Sequence, residues 1–249
     1  MEIALAIIAG VAIGSVLGFV GAGGSMLAVP IFLYVFGLSP VAATTASLLV
    51  VFVGAASGAL PRIKQKEVLI KEALVIWAIG LVTNLTGAYY LPRIPENVVL
   101  TGFALVLIVA GISMLIPTPQ QVTERKVSPL ALIAISLVIG ALTGLFGIGG
   151  GFLAIPILIL FYNVAPTKAA GTSLFIIMIN TLTGFFAHYR HWSDVDWSLP
   201  IIIAIVALVI SRIASHRSSR VSPATLKRAF AYFVFAIALF TLVETWVIS

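Results

Sequence analysis

The sequence predicts an all-α integral membrane protein made of two inverted repeats of about five membrane segments each, with glycine-interrupted helical hairpins meeting near the bilayer midplane. Three observations lead there. Of 249 residues 61% are hydrophobic and only 9% are charged, where soluble domains carry roughly a quarter. Eight apolar runs are long enough, or nearly so, to cross a hydrocarbon core of about 30 Å at about 1.5 Å per residue. The chain also matches itself at an offset of 126.

The long runs are 3–20, 41–60, 73–91, 98–116, 130–146, 167–187, 199–213 and 226–248. Two shorter apolar pieces, 25–36 and 151–162, make about 18 Å of helix each and cannot cross alone. The first run reads as part of the fold, not as a leader: no Lys or Arg precedes it, and it recurs in the second half. Asn84-Leu85-Thr86 fits a glycosylation sequon by chance, since it lies inside a span.

Cysteine is absent, which removes disulfides, thiolate metal sites and cysteine nucleophiles, and three histidines leave little for metal chemistry. No cofactor is expected. The net charge of +6 does not signal nucleic acid, because the basic residues sit in short gaps between apolar runs. If the ten pieces alternate direction, twelve of the fourteen basic residues share one side and only Arg93 and Arg190 fall on the other. The positive-inside rule makes the crowded side cytoplasmic and puts both termini outside.

The self-match pairs Gly14, Gly18, Gly21, Gly23, Gly24 and Pro30 with Gly140, Gly144, Gly147, Gly149, Gly150 and Pro156, and continues through Pro40, Ser47 and Gly58 onto Pro166, Ser173 and Gly184. Identities concentrated in Gly and Pro reflect backbone roles and not bulk composition. The expected division is repeat 1 over 1–116, a cytoplasmic linker over 117–128 and repeat 2 over 129–249. Five pieces per half force the second half to enter from the opposite face. That arrangement, with interrupted helices, points to a secondary transporter with its site between the halves.

The candidate site follows from the turns. Gly21, Gly23, Gly24 and Ser25, and likewise Gly147, Gly149, Gly150 and Gly151, join a long helix to a short return piece. About 18 Å of helix leaves each turn roughly 12 Å short of the far face, within the membrane. Bare backbone is tolerated there only where protein or a watery cavity satisfies it, and helix starts aimed into one volume would favour an anion. After each return piece a helix begins with Pro and carries hydroxyls, Thr44, Thr45 and Ser47 in one half, Thr172 and Ser173 in the other. Hydroxyls bonding their own helix or gluing neighbours are an equal reading for any one of them. Asn180, an amide deep in a span, is the sharpest single candidate. No Asp or Glu lies near the centre of a span, so the carboxylate of a proton relay is missing, as are the nucleophile and base of an intramembrane enzyme. His188, Arg190, His191, Asp194 and Asp196 read as a solvated interfacial loop.

The Gly-x-Gly-Gly turns, the apolar pieces carrying Pro30 and Pro156, and the following Ala43 to Leu48 and Ala170 to Leu174 stretches make the chain resemble the TauE/SafE family of membrane transporters over nearly its whole length. That resemblance implies export of sulfite or a small sulfur-containing organic anion across a bacterial inner membrane. The expected partners are that anion, the lipid bilayer and, as a candidate, a second copy of the chain. An uptake carrier or channel for another small anion, and a non-transporting scaffold, are the competing expectations.

Overall fold

The computed structural model describes residues 2–20, 25–115, 129–150, 154–155, 158, 164, 166–217 and 223–248. The described residues are helices and short connections. They are α1 (Glu2–Val20), α2 (Ser25–Pro30, prolonged by a π-helical turn, Ile31–Val35), α3 (Pro40–Lys64), α4 (Ile70–Tyr90), α5 (Glu96–Leu115), α6 (Pro129–Phe146), α7 (Pro166–Ala187), α8 (Ser198–Arg217) and α9 (Pro223–Val243). Among the described residues six helical stretches are long and apolar enough to cross a membrane: Glu2–Phe19, Pro40–Lys64, Ile70–Arg93, Glu96–Leu115, Pro129–Phe146 and Lys168–Ala187. Large apolar side chains such as Ile8, Val82, Leu105 and Val138 lie exposed along them, the surface a lipid solvent demands. The 117–128 linker lies outside the described residues.

Local chemistry sets the boundaries. Ser39 caps α3 by accepting from the Ala42 N–H (3.4 Å), and Pro40 occupies the first turn, where its missing N–H costs nothing. Gly37, at φ +67°, ends the α2 piece after eleven helical residues, so the return piece is as short as its apolar run.

Small residues set the packing. A Cβ on Gly140 would collide with the Gly80 carbonyl, and one on Gly80 would come within 2.6 Å of the Ser136 carbonyl, so α4 and α6 touch backbone to backbone. The Thr83 hydroxyl donates to Leu137 O (2.6 Å) across the same seam. Contact moves from Gly80 with Ser136 and Gly140 to Asn84 with Gly144, so the two helices run parallel. In the same way, a Cβ on Gly10 would lie 2.9 Å from Ile203 O and one on Gly14 2.7 Å from Ala207 O, joining α1 to α8 in parallel.

Helices α3 and α7 cross antiparallel with reciprocal contacts. A Cβ on Gly184 would lie 3.0 Å from Leu48 Cδ2, and one on Gly58 3.1 Å from Leu174 Cδ1. An offset of 126 turns either pair into the other. Polar contacts follow the same exchange: Ser211 Oγ donates to Gly54 O (3.3 Å) and Asn84 Nδ2 donates to Asn180 O (3.0 Å), with Gly54 and Asn180 again 126 apart. Contacts of this kind are what a local two-fold axis between the helices produces.

Candidate functional site

Helix α6 stops at Phe146 because the chain turns left-handed: Gly147, Gly149 and Gly150 have φ of +65°, +75° and +63°. A side chain at such angles is strained, so three closely spaced glycines are what this turn requires. The turn is buried, and Gly147 N–H still bonds back to Thr143 O (2.9 Å). Gly147 is seated on the first turns of α3: a Cβ there would strike Ser47 Oγ and lie 3.0 Å from Thr44 O. Thr44 and Ser47 are four and seven residues past Pro40, about 6–10 Å along the helix. Gly149 faces α7 instead, where a Cβ would lie 2.8 Å from Ile177 Cγ2 and 3.0 Å from Thr181 Cγ2.

Asn180 shares that stretch of α7 with Ile177 and Thr181. Its side chain is fully buried, and neither Oδ1 nor Nδ2 has a partner. Asn84, on α4, is buried beside it. Its Nδ2 donates to Asn180 O (3.0 Å) and Thr183 Oγ1 (3.2 Å), while its Oδ1 is unpartnered. Unpaired buried amide atoms cost about 1–3 kcal/mol each, and three of them gather at this one contact between α4 and α7. The signal that singles out Asn180, an amide deep in a span, applies equally to Asn84 and was lost behind the sequon.

The hydroxyls divide by role. Ser47 Oγ donates to Thr44 O (2.8 Å), leaving its lone pairs toward the Gly147 turn. Thr172 Oγ1 donates to Lys168 O (2.7 Å) and accepts the Leu69 N–H (2.9 Å), so it fastens the start of α4 to α7. Ser173 is buried. Gly21, Gly23, Gly24 and Gly151 lie outside the described residues. Ser25 opens α2.

One polar residue of the 188–196 stretch is not solvated. His188 is 0% exposed and bridges three helices. Its Nε2 lies 3.1 Å from Gly144 O at the end of α6, and its Nδ1 lies 3.2 Å from Thr45 Oγ1 near the start of α3. Neutral His188 with its proton on Nε2 donates to Gly144 O, while Nδ1 packs against Thr45 Oγ1, whose own proton goes to Val41 O (2.7 Å). Burial is the main cause that holds the imidazole at about 4, against the ordinary 6.5, with the Gly144 bond opposing it and His191 adding to it. Arg190 and Asp194, by contrast, are exposed. His188 thus ties the turn-bearing helix to both helices that flank the turn.

A buried glycine turn seated between the start of α3 and the second half of α7, in a bundle of apolar helices, is the kind of interrupted helix that transporters carry. The family described as Sulfite exporter TauE/SafE matches residues 6–241. The chain belongs to that family. It is 27% identical over 242 residues to a probable membrane transporter protein of Xylella fastidiosa strain 9a5c, covering 94% of this chain and 92% of the relative. It is also 27% identical over 214 residues to the probable membrane transporter protein YunE of Bacillus subtilis, covering 76% and 78%. A probable membrane transporter protein of Methanocaldococcus jannaschii is 35% identical over 115 residues, covering 44% of this chain and 43% of that one. No solved structure matches. As a TauE/SafE member the chain is a multi-pass membrane transporter.

Proposed function

We propose that this TauE/SafE transporter exports sulfite or a small sulfur-containing organic anion by alternating access between inverted repeats, 1–116 and 129–249. The observation that carries the reading is the Gly147 turn on Ser47 and Thr44, beside the unpartnered amides of Asn180 and Asn84. Sulfite and sulfonate present three oxygens around sulfur, which backbone N–H, hydroxyl and amide N–H groups hold without a buried counter-charge. The amide oxygens of Asn84 and Asn180 would accept a hydrogen bond from the O–H of hydrogen sulfite or from a companion water. The reciprocal α3–α7 contacts support the inverted repeat, and a crossing built on Leu48 with Gly184 and Leu174 with Gly58 gives the two halves a hinge. The substrate half-sites, Gly21, Gly23, Gly24, Ser25, Thr44, Thr45 and Ser47 against Gly147, Gly149, Gly150, Gly151, Thr172, Ser173 and Asn180, belong to this proposal.

Expelling an anion from a negative interior is downhill by about 2.3 kcal/mol per charge per 100 mV, so no coupling ion is needed. The test is flux from proteoliposomes loaded with sulfite, with sulfoacetate, chloride and nitrate as comparisons, under an imposed potential. Saturable sulfite efflux that follows the potential alone is expected. Efflux that demands a proton or sodium gradient at clamped potential defeats the uniport reading, and unsaturable flux of every anion makes the protein a pore.

A further inference from the structure

Two grooves open on the helix surface outside the turn site, at opposite ends of the bundle. One, about 490 Å³, lies where the ends of α4 and α7 meet: Leu85, Ala88 and Ala187 form its floor, and Arg93 and Arg190 line it. The other, about 480 Å³, lies between α3 and α8, with Val53, Ala56 and Leu208 lining it beside Lys64 and Arg212. Both volumes fall within the roughly 300–1,000 Å³ of clefts that hold small ligands. The offset of 126 relates them as well: Pro61 and Lys64 of one wall fall on Ala187 and Arg190 of the other.

Arg93 and Arg190 are the two basic residues that the positive-inside reading leaves opposite the other twelve. Ninety-seven positions apart in the chain, they line one groove. Isolated snorkelling gives no reason for that convergence. Tyrosines hold both guanidinium groups: Arg93 donates to Tyr89 O and lies 4.0 Å from the Tyr89 ring centroid, and Arg190 Nε donates to Tyr189 Oη (3.0 Å). A guanidinium has five N–H donors, so each keeps several for a ligand. His191, also on the wall, is paired with Asp194 (3.0 Å), and among the described lining residues neither groove has an Asp or Glu.

We propose that each groove binds an anionic phospholipid, its phosphate on the basic pair and an acyl chain along the apolar floor. In the α4–α7 groove the two arginines fit a phosphate diester and the flanking tyrosines belong at headgroup depth, and in the α3–α8 groove Lys64 and Arg212 supply the positive charge. The apolar floor decides between lipid and free oxyanion. A bare anion gains nothing from Leu85 and Ala88, whereas an amphiphile satisfies rim and floor together.

The full chain, purified in neutral detergent, is titrated with phosphatidylglycerol or phosphatidylcholine of the same chain length, and bound lipid is counted by native mass spectrometry. Two phosphatidylglycerol molecules per chain are expected, at least tenfold tighter than phosphatidylcholine. Arg93→Gln with Arg190→Gln loses one of them and Lys64→Gln with Arg212→Gln the other, while Arg93→Lys with Arg190→Lys keeps both. An unchanged count in both glutamine pairs overturns the proposal. So does equal loss in the lysine and glutamine pairs, which assigns the effect to local structure. Displacement of the lipid by millimolar inorganic phosphate would make the grooves free-oxyanion sites and also overturns it.

Discussion

Gly147 rests directly on Ser47: the turn that ends α6 has no room for even one carbon between its backbone and the serine hydroxyl. The contact joins residues 100 positions apart and brings the interrupted helix α6 of the second half onto the start of α3 in the first. It separates two effects that glycine substitutions usually mix, backbone strain and occupied space. Gly37 has nearly the same φ, +67°, with nothing within 4 Å of a Cβ. Gly37→Ala therefore pays strain alone, about 1–2 kcal/mol, and leaves flux unchanged. Gly147→Ala and Gly149→Leu add a collision at the site. Both are expected to insert in the membrane and lose flux at least tenfold in proteoliposomes; normal flux in both would remove the turn from the transport path.

Asn180 and Asn84 predict opposite trade-offs. Asn180 bears two unpartnered polar atoms, so Asn180→Ala removes a buried cost and is expected to leave the thermal midpoint unchanged or raise it, while weakening anion affinity about tenfold. Asn84 donates twice to α7, and Asn84→Ala removes both bonds at about 0.5–1.5 kcal/mol each, although Asn180 O keeps the Thr183 hydroxyl as a donor (2.9 Å). Melting curves and concentration-dependent flux on both variants check this. A drop in stability for Asn180→Ala with unaltered affinity would make it a structural amide.

The seam between α4 and α6 tests packing alone. A Cβ on Gly140 meets Gly80 backbone, which cannot move as a side-chain tip can. Gly140→Leu must drive the helices apart and is expected to destabilise by several kcal/mol, lowering the yield of folded protein. Gly102→Ala, whose Cβ would meet only the edge of the Phe146 ring at 3.2 Å, is expected to cost under about 1 kcal/mol. Comparable yields for the two, by fluorescence-detected size exclusion, would contradict the backbone contact.

Helix positions were legible because lipid imposes one rule, an apolar run of sufficient length, and the described helices follow the runs. The 147–150 turn was legible because glycine repeats mark a backbone need that survives without knowing any neighbour. What the sequence hides is proximity. His188 looks like one more polar residue of an interfacial loop, and only the fold brings Thr45, 143 residues away, and Gly144, 44 residues away, around it. Thr172 looks like a site hydroxyl, yet it spends its proton and a lone pair on Lys168 and Leu69, a partner 103 residues off. Arg93 and Arg190 likewise meet only through the pairing of α4 with α7.

His188 makes stability depend on pH with a definite sign. The folded protein holds the imidazole at about 4, and the unfolded chain returns it to the ordinary 6.5. Between those values the unfolded chain binds a proton that the folded one refuses, so stability is full above about 6.5 and is lost as pH falls toward 4. At about 1.36 kcal/mol per unit, lowering the pH from 7.5 to 4.5 costs on the order of 2 kcal/mol through this residue. His188→Gln keeps a donor for Gly144 O without titrating. Thermal midpoints at the two pH values are expected to differ less in His188→Gln than in the parent protein. An identical difference in both would mean that the acid sensitivity arises elsewhere, and that the imidazole is not held neutral between α3 and α6.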